Sequence, residues 1–196
     1  MEHKYGAEEL KKRASEQREQ IFTYNEKTPG TVIPRRIDDL NHILNTNSYQ
    51  KGGWVLHMLR HKIGEENFWR GIREYYNKYQ YGNATTDQFK AVMEANSGER
   101  LDKFFNQWLK TNNYPVLGFT WVYYNGVVRI IIDQKQEIPM TFDLDVELVY
   151  EDGTTEIKRV AVEDKLAPYR IEECKTKVVD LKYDPNNWLI VKFEKK

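Results

Sequence analysis

Apolar residues recur at helical spacing through the first part of the chain and alternate with polar ones in the rest. The change comes once, near Tyr114-Pro115. Residues 6–20 read as a polar helix with few apolar anchors, which Thr28-Pro29-Gly30 and Ile33-Pro34 break into an extended segment. Over 48–63, Val55, Leu59 and Ile63 fall at four-residue steps with Trp54 and Met58 alongside, and Gly64 ends the helix. Phe68, Ile72, Tyr75, Tyr76 and Tyr79 form the stripe of a second amphipathic helix. Thr85-Thr86-Asp87-Gln88 is a capping-box pattern opening a third, with Phe89, Val92 and Met93 on one face and Asn96-Ser97-Gly98 at its close. Leu101, Phe104, Phe105, Trp108 and Leu109 mark a fourth. The short connections favour antiparallel neighbours.

Beyond residue 116 the pattern is that of strands. Asn125-Gly126 between β-branched and aromatic runs predicts a type I′ hairpin. Phe142, Leu144, Val146, Leu148 and Tyr150 alternate with mostly polar residues, so that strand has one buried face. Glu151-Asp152-Gly153 turns into a strand over 155–162, and two more are expected near 176–183 and 187–193 around Asp184-Pro185-Asn186-Asn187. Six or seven strands in this span predict a small sandwich. The fold class is therefore α+β by segregation: an antiparallel helical unit over 1–114, then a small antiparallel β-sandwich over 115–196.

Composition narrows the function classes. The 196 residues allow one domain or two small ones at about 100–200 residues each. Thirty Lys and Arg balance thirty Asp and Glu, so the global basic excess of a nucleic-acid binder is missing. No apolar run approaches the ~18 residues of a membrane span, and the charged opening lacks the apolar core of a signal peptide. The expectation is a soluble chain without a targeting signal. A single cysteine, Cys174, excludes an internal disulfide and a multi-cysteine zinc site.

Candidate chemistry is sparse. Of the four histidines, His3, His42, His57 and His61, the last two stand four apart on a predicted helix, a spacing that can place two imidazoles on one zinc. Met58-Leu59-Arg60 between them supplies no glutamate base, so His57 is expected to pack inward and His61 to be solvated. Cys174 has no histidine near it in sequence, and no G-x-S-x-G, P-loop or G-x-G-x-x-G occurs. Gly52-Gly53 inside a helical pattern signals close helix packing or close approach to a ligand groove. Tyr49, in the first turn of the apolar helix, could project its phenol into a cleft and donate a hydrogen bond.

The segment 47–60, NSYQKGGWVLHMLR, resembles the Y-x-K-G-x-x-V-L-x-M-L stretch of zinc aminopeptidases of the aminopeptidase N type, the gluzincins. The following residues are similar to that family's continuation, and Tyr114-Pro115-Val116-Leu117 resembles its usual exit. The β half, ending in Asp184-Pro185-Asn186-Asn187-Trp188-Leu189, resembles the immunoglobulin-like domain that follows in many bacterial members. The family's H-E-x-x-H, third-ligand glutamate and G-x-M-E-N signature are all missing, and Glu2-His3-Lys4-Tyr5-Gly6 resembles the segment just after the zinc-binding helix. The resemblance implies the C-terminal part of a catalytic domain, lacking its zinc motif, followed by a β-sandwich.

It also implies zinc in the parent enzyme but no cofactor or metal ligand in this chain. The one site residue it implies here is Tyr49, stabilising the oxyanion of a peptide substrate in the complete enzyme. The implied partner is the missing zinc-binding half of the domain, without which the chain is expected to be inactive. Helices deprived of that partner would expose an apolar face and self-associate, with Trp54, Val55 and Met58 as its candidates. The rival expectation is a non-catalytic module binding a protein or glycan, although no contiguous aromatic platform is readable in the strands.

Overall fold

Helix-compatible spacing and strand alternation each produce the element they specify, and the chain separates between Asn112 and Asn113. The computed structural model describes Lys4, residues 6–34 and residues 43–194. His3, His42 and most of the opening Glu2–Gly6 segment lie outside the described residues. Among the described residues the protein has five α-helices, one π-helical turn and seven strands in two mainly antiparallel sheets, an α+β architecture.

The helical unit opens with α1, Ala7–Lys27, which runs seven residues further than its polar stretch suggests. Ala14, Ile21 and Phe22 supply the buried anchors, the last two in that extension. A π-helical turn, Asn47–Lys51, leads without a break into α2, Gly52–Ile63. Trp54, Val55, Met58, Leu59 and Ile63 of α2 are all buried. Next come α3, Glu65–Tyr79; α4, Thr86–Ser97; and α5, Asp102–Lys110. The predicted capping box is present: Thr85 Oγ1 accepts from Gln88 N–H at 3.3 Å, and Gln88 Oε1 accepts from Thr85 N–H at 2.8 Å. Gly98 closes α4 with φ 73°, a left-handed cap that glycine adopts without a Cβ clash. Of the α3 stripe, Phe68 is buried and Ile72, Tyr75 and Tyr79 half-buried, but Tyr76 is exposed, because a fourth large ring falls beyond the width of the face in contact.

In the β unit, β1 (Val116–Tyr124) and β2 (Val127–Gln134) form the predicted hairpin. Asn125 and Gly126 both have positive φ, 47° and 78°, as a type I′ turn requires. β3 (Phe142–Tyr150) buries the five alternating residues predicted, and pairs with β4 (Thr155–Val162) and β6 (Val178–Tyr183). A strand over Leu166–Ile171, β5, lies on the edge of the first sheet in the order β5-β2-β1-β7. Its Pro168 blurs the strand signal and suits an edge, where a missing N–H is tolerated. The last strand shrinks to Lys192–Phe193 and pairs with β1 in parallel, while Leu189, Ile190 and Val191 are buried without strand pairing. Gln134, fully buried, secures the loop beside it: Nε2 donates to the Met140 and Asp164 carbonyls at 2.9 Å each, and Oε1 accepts from Met140 N–H.

Candidate functional site

The turn that carries Tyr49 is built by its own side chains. Asn45 Oδ1 accepts from the N–H groups of Asn47 at 2.8 Å and Ser48 at 3.3 Å, so two of the free donors at a helix start are satisfied by one asparagine. The Ser48 hydroxyl donates back to the Ile43 carbonyl. Tyr49 N–H donates to the Asn45 carbonyl at 3.0 Å. One turn on, Gly52 N–H reaches back five residues to the Asn47 carbonyl, the pairing that makes the turn π-helical.

Burial alternates sharply within these five residues. Asn47 is 3% exposed and Lys51 2%, whereas Tyr49 between them is 63% exposed. Asn47 packs where Gly30 leaves room: a Cβ on Gly30 would come within 2.7 Å of Asn47 Nδ2. Lys51 Nζ donates to the Thr111 carbonyl at 2.9 Å, and burial pushes its pKa down to about 8. The phenol thus stands outward on a turn whose flanking side chains are fixed inside. Such a group can donate to an oxygen presented from outside the chain.

The other candidates of the sequence are not assembled around it. His57 and His61 are both half-buried, so the expected contrast of one inward and one solvated ring gives way to two rings at the helix flank. His57 meets the Trp54 ring edge-on at 5.3 Å. Among the described residues no group of three or more His, Cys, Asp or Glu comes together that could hold a metal ion. Cys174 is half-buried, its Sγ 3.9 Å from the Ile171 carbonyl in the β unit.

Gly53 lines a groove of about 190 Å³ between α1 and α2, with Arg13, Gln17, Trp54 and His57 among its walls. A Cβ on Gly53 would meet nothing within 4 Å, so this glycine marks open groove and not tight helix packing. Trp54, Val55 and Met58, expected on an open apolar face, are buried within the unit. The exposed apolar residues of this stretch are instead Leu44, Tyr49 and Leu56. The reason is that α2 already has neighbours in α1, α3 and α5, which claim its strongest stripe.

Two contributors escaped the sequence reading, Asn45 and Lys51. Lys51 could have been found: it stands four residues before Val55, on the same stripe as Leu59 and Ile63. A lysine on the buried line of a helix is a signal in itself.

The Peptidase family M1 domain profile matches residues 3–108 of this chain. The mitochondrial aminopeptidase 2 of Saccharomyces cerevisiae is 35% identical over 89 residues, which is 45% of this chain and 9% of that protein. The alanine/arginine aminopeptidase of the same yeast is 39% identical over 90 residues, 45% of this chain and 10% of that protein. The chain thus spans about a tenth of the length of these curated relatives. In fold it is similar to aminopeptidase A of Legionella pneumophila, solved in complex with aspartic acid: TM-score 0.69 at 16% identity, over 81% of this chain and 19% of that one. With the profile match covering more than half of its residues, the chain belongs to peptidase family M1.

Proposed function

We propose that this chain forms part of a zinc aminopeptidase that removes N-terminal residues from peptides, and that Tyr49 is its contribution to the chemistry. In this reading residues 1–114 are the C-terminal, helical part of the catalytic domain, and residues 115–196 the immunoglobulin-like sandwich after it. The family implies zinc in the parent enzyme. Among the described residues no metal-holding group comes together, and in this reading the zinc ligands and the general base belong to the partner half. On this proposal the isolated chain is expected to show no peptidase activity.

Tyr49 would act as a neutral donor. As a nucleophile adds to the scissile carbonyl, negative charge gathers on the oxygen. A phenol O–H held at that oxygen strengthens its hydrogen bond in step with the charge, which lowers the barrier without tightening ground-state binding. One observation supports this above the rest: within the stretch matched to the family, Tyr49 is exposed on a turn whose neighbours Asn47 and Lys51 are locked inside.

The test is Tyr49→Phe in the chain joined to its zinc-binding half. The ring stays and the donor goes, so kcat is expected to fall ~10²–10³-fold, about 2.7–4 kcal/mol. KM should move little, because the interaction is made mainly in the transition state. Zinc content should be unchanged. A variant that keeps kcat within a few-fold shows that Tyr49 only packs and opens the helix. A joined chain that cleaves no peptide even with Tyr49 intact would instead favour the rival reading, a binding module, for which the exposed hollow of about 470 Å³ on the outer face of β1, β2 and β5 is the supporting feature.

A further inference from the structure

The last carbonyls of an α-helix have no partner within the helix. At the end of α5 and in the two residues just beyond it, three carbonyls are taken by three distant segments. Ile33 N–H donates to Leu109 at 3.0 Å, Lys51 Nζ to Thr111 at 2.9 Å, and Asn25 Nδ2 to Asn112 at 2.9 Å. Of these donors only Lys51 is ionisable, and it alone comes from the turn that carries Tyr49.

Burying a lysine is costly, and nothing in the packing requires it: a methionine would fill the same channel without losing hydration. No carboxylate pairs with Lys51 among the described residues; burial alone depresses its pKa. What the ammonium does that a methionine cannot is donate a charge-assisted hydrogen bond to the Thr111 carbonyl, on the extended residue that ends α5. The turn that it grips is of the uncommon kind. If Asn47–Lys51 relaxed from π to α pairing, the register would shift by one residue and the phenol would swing by about 100° around the helix axis.

We propose that Lys51 is a positioning residue: its ammonium fastens the π-helical turn to the carbonyl end of α5, and so fixes where the Tyr49 hydroxyl stands. The inference rests on the reading of Tyr49 as the donor to the substrate oxygen. Lys51 touches no substrate; it acts through the register of the turn.

The test uses Lys51→Met, which keeps length and removes both charge and donor. In the chain itself, amide hydrogen exchange is measured at Tyr49 and Gly52, with amides inside α3 as controls. Tenfold or faster exchange at the two turn amides, with the controls unchanged, is the expected result. A residue that merely fills space predicts the opposite, since methionine relieves a buried charge and leaves the turn as protected or more so. That outcome overturns the proposal. Should Lys51→Met not fold, Lys51→Gln, whose amide stops short of Thr111, replaces it with the same expectations. Lys51→Arg, which keeps charge and donors, should retain protection within about threefold; loss of protection equal to that of Lys51→Met counts against the tether.

In the chain joined to its zinc-binding half, Lys51→Met should lower kcat at least tenfold with KM within about threefold. Added to Tyr49→Phe it should cost less than a further threefold, because the group it positions is already gone. If Tyr49→Phe is active, the Tyr49 reading fails on its own evidence. If Tyr49→Phe is impaired and Lys51→Met is not, the tether fails and the Tyr49 reading stands.

Discussion

Lys51 gives this protein a stability that depends on mildly alkaline pH. Its amine titrates near 8 in the folded chain, against about 10.4 when unfolded. Below pH 8 both states are protonated and the cost of burying the charge is fully present. Between pH 8 and about 10.4 the unfolded chain holds the proton that the folded one has released, so stability rises with pH. The gain is at most about 3 kcal/mol. Tyr150 works the other way: burial and its bond to Glu156 push its hydroxyl up to about 12, so folding loses stability as pH climbs past 10. Urea unfolding of wild type and Lys51→Met between pH 7.5 and 9.5 separates the two effects. The wild type should gain stability relative to the variant across that range, and parallel curves would refute the depressed amine.

At the scale of elements, two helical glycines make opposite predictions. Gly53 faces open groove, so Gly53→Ala should stabilise the isolated chain by about 0.5–1 kcal/mol through helix propensity alone. Gly71 lies against α4, where a Cβ would stand 2.6 Å from Sδ of the fully buried Met93; Gly71→Ala should destabilise by ~1 kcal/mol or more. If Gly53 borders a surface that receives the zinc-binding half, its alanine variant should bind that half less well while melting higher. The α4 cap is a third case. Thr85→Ala removes one side of the reciprocal pair with Gln88 and should cost about 1 kcal/mol, read as a lower denaturation midpoint at unchanged slope.

For the whole molecule, the expectation concerns what the chain lacks alone. Purified without chelator, it should hold no stoichiometric zinc and cleave no peptide; one tightly held zinc per chain, lost on replacing both His57 and His61, would contradict this. Leu44, Tyr49 and Leu56 are exposed on the helical unit, so concentration-dependent association is expected in light scattering. Leu44→Ser with Leu56→Ser should weaken it, whereas the face first suspected, Trp54, Val55 and Met58, is already buried.

By itself the sequence determined the elements whose causes are local. The capping box at Thr85, the Asn125-Gly126 turn, the left-handed Gly98 and the alternation over 142–150 each depend on residues a few positions apart, and each is found where the pattern places it. It also determined the family, through a contiguous stretch around Tyr49. Tertiary structure decided what depends on distant partners. The seven extra residues of α1 are helical because Ile21 and Phe22 find a core, and β5 pairs despite Pro168 because an edge leaves one N–H side unneeded. The parallel pairing of β1 with β7 joins residues about 76 positions apart, a distance at which local propensity carries no information. The burial of Lys51 belongs to the same class. Its stripe position was legible, but the carbonyl that makes a buried ammonium tolerable comes from Thr111, sixty residues away, and only the folded chain brings the two together.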